Sequence, residues 1–415
     1  MRELEKVIGY EYVKGELYKI LDIIHNPQKY KTMGVSAPKG ILLEGKPGIG
    51  KTLLAKSFIA DSGLNEVIVR KDRPDGDFVD YIRESFEKAV ENAPSIILLD
   101  DMDKFANEDD YHRNAEEYVT VQACIDEVKG KDVYIIATCN RMRSLPESLY
   151  RTGRFDKIFH MSFPLGEDAQ KIISYYLKDK KVSDDIDVEE IARFSEGHSC
   201  AALEAVVNEA GIMAAYENRE FISQDDFKTA SLRIIHDISG KWDTIPDESI
   251  RRVAVHEAGH AVMIEHFDPG NVNFITVGGM VSEKFDPHSN ESFVKQENQI
   301  MISLAGKAAT ELILNEIDMG TNKDLHMAYD QLRALIDNVA SYDFNSWCHG
   351  DETSSLIYDH LDAVTGGEMA RYFMKTKRIL SENKAFLEEL INQLIEKKTL
   401  SYKDIAKIKE EMKKR

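Results

Sequence analysis

The sequence predicts a multidomain protein: an α/β core with a parallel sheet, then a helical module, then a larger, mostly α-helical domain. Three observations predict it. Short β-like runs alternate with helical stretches over the first 165 or so residues, and from about residue 167 the pattern turns helical. Ser239 to Pro246 then carries the Gly and Pro punctuation of a linker. The expected boundaries are 1–165, 166–240, a linker at 241–248, and 249–415, and a length of 415 residues suits two or three domains of ~150 residues each.

Taken in order, residues 1–30 read as helix flanked by charge and broken at Asn26-Pro27. Gly40 to Glu44 is a short strand, Thr52 to Ala60 a helix, Val67 to Val69 a strand and Ile82 to Asn92 a helix. Ser95 to Leu99 and Val133 to Thr138 are continuous apolar runs of the kind buried on both faces of a parallel sheet. The helical module has breaks near Asp184-Asp185, Gly197 and Ser223. After the linker, Glu248 to His266 reads as one helix between Pro246 and Pro269-Gly270. The stretch 267–291 is irregular, with one β-like run at Phe274 to Val277.

Composition removes several classes. With 43% hydrophobic and 30% charged residues the chain can bury real cores, so disorder is not the default reading. A formal net charge of −20 repels phosphate backbones and argues against nucleic acid as a partner. Cys124, Cys139, Cys200 and Cys348 are widely spaced, which points to a reducing, cytoplasmic setting and away from a cysteine zinc site. The longest apolar runs, Ile96 to Leu99 and Tyr134 to Ala137, fall far short of the ~20 residues that span a bilayer, so no membrane span is expected. The charged start (Arg2, Glu3, Glu5, Lys6) lacks the apolar core of a signal peptide.

Gly45-Lys46-Pro47-Gly48-Ile49-Gly50-Lys51-Thr52 fits G-x-x-x-x-G-K-[ST], with a strand before it and a helix after it. The glycines let backbone N–H groups turn around the β-phosphate of a nucleotide, Lys51 reaches the β- and γ-phosphates, and Thr52 meets Mg²⁺. Ser95 to Asp101 supplies the partner: a buried strand ending in carboxylates, with Asp100 facing the metal and Asp101 acting on the attacking water.

His256-Glu257-Ala258-Gly259-His260 fits H-E-x-x-H on the helix already assigned. Positions i and i+4 share a helix face, so both imidazoles can hold one zinc ion, and Glu257 can take a proton from water. A catalytic site that keeps one position open needs a third protein ligand. His266, His288, His326, His349, His360 and many acids are candidates, and spacing does not choose among them.

In this order the motifs resemble the FtsH family of AAA+ ATP-dependent zinc metalloproteases, from Val7-Ile8-Gly9 through Pro38-Lys39-Gly40 to Lys398-Thr399-Leu400. The resemblance implies an AAA+ ATPase core, an AAA+ helical lid and a helical zinc metallopeptidase domain. It implies Zn²⁺, Mg²⁺ and ATP or ADP as cofactors, polypeptide substrates and a homo-oligomeric ring, a hexamer in the family. It also implies nucleotide contacts at Ile8, Gly9, Gly45, Pro47, Gly48, Ile49, Gly50, Lys51, Thr52, Leu53, Asp100 and Ala201. Asn140 matches the polar group that senses the γ-phosphate, and Arg151 and Arg154 match the arginine fingers that reach a neighbouring subunit's nucleotide. Asp324, in Gly320 to Leu325, matches the third zinc ligand, at the start of an amphipathic helix carrying Leu332, Leu335, Ile336 and Val339. Glu311 matches an acid that orients a ligand histidine.

Three departures stand out. The family's N-terminal transmembrane helices have no counterpart in this sequence, so the expectation is either a soluble relative or a piece of a longer, membrane-anchored protein. Asp101 stands where the family has Glu, one methylene longer. The aromatic pore loop aligns near Pro74-Asp75-Gly76, where no aromatic lies, and Phe78 or Tyr81 would have to substitute. A second reading is therefore a remodelling ATPase or nucleotide-gated assembly with weak turnover, its peptidase limited to exposed or unfolded segments.

Overall fold

Five parallel strands carry the first half of the molecule: β1 (Gly40–Glu44), β2 (Asn65–Arg70), β3 (Ser95–Asp100), β4 (Val133–Cys139) and β5 (Lys157–His160), in the spatial order β2-β3-β4-β1-β5. The structure, a computed structural model, describes residues 2–34, 37–107, 115–151, 153–239, 242, 245–285, 292–317, 319–339 and 355–414. Cys348, His288, His349, Thr152 and the linker residues Gly240, Lys241, Asp243 and Thr244 lie outside the described residues. The chain forms two compact units, Met1–Lys181 with Gly197–Ile212, and Val182–Glu196 with Met213–Arg415.

In the first unit the sheet is flanked by α1 (Glu3–Lys6), α2 (Glu11–His25), α3 (Pro27–Lys31), α4 (Lys51–Ser62), α5 (Asp75–Glu91), α6 (Ala115–Glu127) and α7 (Glu147–Tyr150). Alternation along each strand assigns its side chains to opposite faces. Leu42, Ile97, Leu99, Ile135 and Ala137 pack with Phe78, Ile82, Phe86, Val121 and Ile125 of α5 and α6. Ile41, Leu43, Ile96, Leu98 and Ile136 pack with Leu17, Ile20, Leu54 and Phe58 of α2 and α4. With both faces covered, the strands read as unbroken apolar runs. In-register pairing of Leu43 with Thr138 and of Leu99 with Ala137 brings the carboxyl ends of β1, β3 and β4 side by side. Crevices at such ends are where α/β sheets bind ligands.

Of the helices that follow, α8 (Gly166–Leu177) lies in the first unit and α9 (Val188–Phe194) and α11 (Gln224–Ile234) in the second, while α10 (Cys200–Tyr216) has residues in each. Sequence reading missed β5, whose four residues mix Lys and His with Ile and Phe. Two further strands were missed in the second unit. There β6 (Val272–Thr276) pairs antiparallel with β7 (Met280–Glu283) and with β8 (Thr399–Ser401). The last two are three or four residues long, too short for a periodic signal. Phe194 of α9 stacks on Phe274 of β6, ring centroids 4.5 Å apart and planes 5° from parallel.

The centre of the second unit is α12 (Asp247–Phe267). Its first turn holds Asp247 and Glu248 against the positive helix end, and Ala254 to Glu265 are all buried, the pattern of an interior helix. Around it lie α13 (Phe293–Ser303), α14 (Ala305–Ile313), α15 (Asn322–Val339), α16 (Ser355–Glu382), α17 (Lys384–Lys397) and α18 (Tyr402–Lys414). Their apolar faces share one core running from Ile250 to Ile408.

Candidate functional site

Two polar constellations sit on this scaffold, one in each unit. In the first, the loop after β1 enters α4 through Gly50, whose φ of 97° is the left-handed region. Lys51 is buried, its Nζ donating to Gly45 O (2.7 Å), Lys46 O (2.9 Å) and Asn140 Oδ1 (2.9 Å). Burial pulls its pKa down, partly offset by the charge of Asp101. Thr52 Oγ1 donates to Asp100 Oδ1 at 2.7 Å, and Arg70 Nη2 lies 3.3 Å from Asp100 Oδ2. Asp101 follows with φ 54° and ψ 50°, its carboxylate 2.7 Å from Lys104 Nζ.

Two further segments pack against the loop. A Cβ on Gly48, whose φ is +76°, would meet Ser199 Oγ at 3.0 Å and Ala201 Cβ at 3.1 Å, and Ala201 N–H donates to Gly48 O. Tyr10 Oη is 2.9 Å from both Ile49 O and Ser162 O, which ties the segment after Ile8 and Gly9 to the loop. Pro47 and Leu53 are exposed. Arg151 is exposed too, whereas Arg154 is only 7% exposed and points inward. Its Nη2 lies 2.6 Å from Asp126 Oδ2 and its Nη1 donates to Ser148 O. The Arg154 and Lys129 hydrogen bonds hold the Asp126 carboxyl well below the usual range. Within the single chain these contacts let Arg154 brace the turn that carries Arg151.

In the second unit α12 presents His256, Glu257 and His260, all buried. His256 Nε2 lies 3.1 Å from His260 Nε2 and 3.0 Å from Asp324 Oδ2, and His260 Nε2 is 3.5 Å from the same oxygen. The ligand atoms of His256, His260 and Asp324 all fall within 4.8 Å of one another, which among the described residues is the sole group of this kind. His260 Nδ1 donates to Ile302 O at 2.7 Å, so its Nε2 turns a lone pair toward the cluster. Burial works against the Asp324 carboxylate, but the neighbouring His256 and His260 rings pull its pKa well below the usual value. Converging imidazole nitrogens and a carboxylate form a donor set that suits a divalent zinc ion.

Sequence reasoning missed what seats His256. A Cβ on Gly306 of α14 would lie 2.4 Å from Cε1 and Nε2 of the His256 ring, so only glycine leaves room for the ligand. The small-residue run Ala305-Gly306-Lys307-Ala308-Ala309 was its only signal. Two expectations are corrected. Glu311 does not orient a histidine; its carboxylate pairs with Lys307 (2.8 Å) and Lys377 (3.1 Å), tying α14 to α16. Phe78 is fully buried, edge-on to Phe105 at 5.1 Å, so it is core and not a gripping aromatic. Tyr81 is half-buried beneath Arg73, its hydroxyl donating to Ile68 O. His266, His326 and His360 are exposed and outside the cluster.

A phosphate loop on a parallel sheet, with a histidine pair and an acid on a separate helical unit, defines a AAA+ ATPase fused to a zinc-type metallopeptidase. Comparison with known proteins agrees. Residues 41–163 match the ATPase family associated with various cellular activities, residues 185–229 the AAA+ lid domain and residues 243–408 peptidase family M41. Relatives named ATP-dependent zinc metalloprotease FtsH 2 are found in Petrotoga mobilis, 29% identical over 97% of this chain, and in Thermoanaerobacter sp., 28% identical over 98%. A third, ATP-dependent zinc metalloprotease FtsH of Parabacteroides distasonis, is 29% identical over 97%. The chain spans 70, 82 and 63% of their lengths. With an AAA ATPase domain, an AAA+ lid and a peptidase family M41 domain in one polypeptide, the chain is similar to the FtsH metalloproteases. No described helix is long and apolar enough to cross a membrane.

Proposed function

We propose that the chain is an ATP-dependent zinc metalloendopeptidase that unfolds, translocates and degrades protein substrates in a ring of its own copies, a hexamer, in the cytoplasm. The observation that carries this reading is the convergence of His256, His260 and Asp324 beside Glu257 in a chain that also assembles Lys51, Thr52, Asp100 and Asn140. The domain division 1–165, 166–240, 241–248 and 249–415 belongs to the same proposal, with ATPase, lid, linker and peptidase in turn.

His256, His260 and Asp324 would hold zinc, which when bound supplies a Lewis acid for the peptide carbonyl and acidifies water. Glu257 takes the proton of the attacking water and returns it to the leaving amine. In the ATPase, Thr52 and Asp100 would hold Mg²⁺, which neutralises phosphate charge. Lys51 binds the β- and γ-phosphates, Asn140 orients Lys51 and reads the γ-phosphate, and Asp101 orients the attacking water. Ile8, Gly9, Gly45, Pro47, Gly48, Ile49, Gly50, Leu53 and Ala201 line the nucleotide. Arg151 is the group available to a neighbouring copy, and Arg154 supports the turn that presents it.

The test is degradation of casein with and without ATP, in the wild type and in Glu257→Gln. Proteolysis should need ATP and fall at least a hundred-fold in the variant; undiminished proteolysis refutes the assignment. The second reading, a remodelling ATPase or nucleotide-gated assembly with weak turnover, draws on the burial of Phe78 and the pairing of Asp101 with Lys104. Lys51→Ala separates the two. If folded substrates are spared equally by wild type and variant while an unfolded peptide is still cut, the motor does not feed the peptidase.

A further inference from the structure

Between the two carboxylates that end β3 and the body of the sheet stands one hydroxyl. Thr138, fully buried near the end of β4, donates through Oγ1 to Asp100 Oδ1 at 3.0 Å and accepts the N–H of Asp101 at 2.8 Å. The direction of both bonds is settled by chemistry. A carboxylate only accepts and an amide N–H only donates, so the single hydroxyl proton goes to Asp100 and a lone pair faces Asp101.

Each bond fixes something that phosphoryl transfer needs. Asp100 Oδ1 receives the hydroxyls of both Thr52 and Thr138, which sets the side-chain torsion and leaves Oδ2 turned toward Arg70. Asp101 adopts left-handed backbone angles, an unfavourable conformation for a residue with a Cβ that persists when its surroundings over-determine it. The bond from its N–H to Thr138 is the anchor for that conformation, and the conformation decides where the short Asp101 carboxylate emerges. A β4 valine would fill the same volume and make neither bond.

We infer that Thr138 is a positioning residue for ATP hydrolysis, coupling the metal-holding carboxylate to the water-orienting one through a single buried hydroxyl. The inference rests on the ATPase reading given above. It concerns residues that never touch the phosphates through Thr138 itself, so its signature is in turnover and Mg²⁺ dependence and not in nucleotide affinity.

The experiment compares the full chain with Thr138→Val, Thr138→Ala and Thr138→Ser. Phosphate release is measured across ATP and Mg²⁺ concentrations, ADP binding is measured without Mg²⁺, and thermal melting checks the fold. Thr138→Val and Thr138→Ala should lower kcat about ten-fold or more and raise the half-saturating Mg²⁺ several-fold, with metal-free ADP affinity within about two-fold of wild type. Thr138→Ser, which keeps the hydroxyl, should stay within about two-fold of wild-type kcat. Should Thr138→Val not fold, the Ser and Ala pair carries the same comparison. Unchanged kcat in the variants lacking a hydroxyl, or a loss in Thr138→Ser as deep as theirs, overturns the inference alone. A wild type that binds nucleotide yet releases no phosphate overturns the ATPase reading and this inference with it.

Discussion

His256 Nε2 and Asp324 Oδ2 lie 3.0 Å apart although 68 residues separate them in the chain. The contact closes a triangle with His260, and α15 brings its first turn to α12 to make it. Removing the carboxylate leaves two imidazoles to hold a divalent ion. Outer partners of ligands alone are worth 10–100-fold in metal affinity, so Asp324→Ala should weaken zinc binding by about 100-fold or more. Zinc content after dialysis against a weak chelator reads this out, with melting behaviour as the control. Full retention of zinc would remove Asp324 from the ligand set.

A methyl group at position 306 tests the seat beneath the same histidine. Ala is the better helix former, so Gly306→Ala should leave α14 helical or strengthen it slightly. Yet the added carbon falls 2.4 Å from the His256 ring, a distance that neither group can tolerate. The ring must move, and zinc affinity should drop about 10- to 100-fold with the helix content intact. Circular dichroism and metal analysis on one sample decide it; wild-type zinc content would show that the ring has another place to go.

How much of this was legible depends on the range of the physics. Phosphate-loop and H-E-x-x-H spacings are local consequences of turn and helix geometry, so Lys51, Thr52, His256 and His260 could be named from one stretch of residues each. The central strands were legible because burial on both faces leaves runs such as Ile96-Ile97-Leu98-Leu99. Long-range matters were not. Only the family resemblance pointed to Asp324, since any acid at a helix start reads the same way. Gly306 is one glycine in a helix until the His256 ring is placed over it, and Phe78 looks exposed only until α5 packs against β2 and Phe105. Glu311 carried the right charge for a histidine partner, but two lysines lie closer to it.

Acid should weaken the second unit through Asp226. This residue caps α11, accepting from Ser223 N–H at 2.8 Å, and Arg219 grips both its oxygens at 2.5 and 2.6 Å. Burial raises its pKa, but the Arg219 and Ser223 hydrogen bonds outweigh that and lower it. A pKa lower in the folded than the unfolded state gives stability that is complete above about pH 4 and fades as pH falls through the folded value. Asp226→Asn should therefore lose about 1–3 kcal/mol at pH 7, and the gap from wild type should narrow below about pH 4. Urea midpoints at pH 7 and pH 3 measure it. A gap that persists unchanged at pH 3 would assign the loss to packing and not to charge.

The ion pair between Lys104 and Asp101 sets up the last test. Their charged atoms are 2.7 Å apart, with Lys104 59% and Asp101 19% exposed, so the pair competes with water for the one carboxylate that is to orient the nucleophile. Exposed pairs of this kind are worth up to about 1 kcal/mol, and that much released into the transition state corresponds to at most about a five-fold gain in rate. Lys104→Ala should accordingly raise ATP turnover by about 1.5- to 5-fold at low ionic strength. Salt should bring the wild type up toward the variant, because screening weakens the exposed pair while leaving the alanine form indifferent. Asp101→Glu adds the missing methylene and should raise turnover as well, by extending the carboxylate toward the water. A Lys104→Ala enzyme that is no faster than wild type at low salt, or that slows with it as salt rises, would show that Lys104 helps to place Asp101 and does not hold it back.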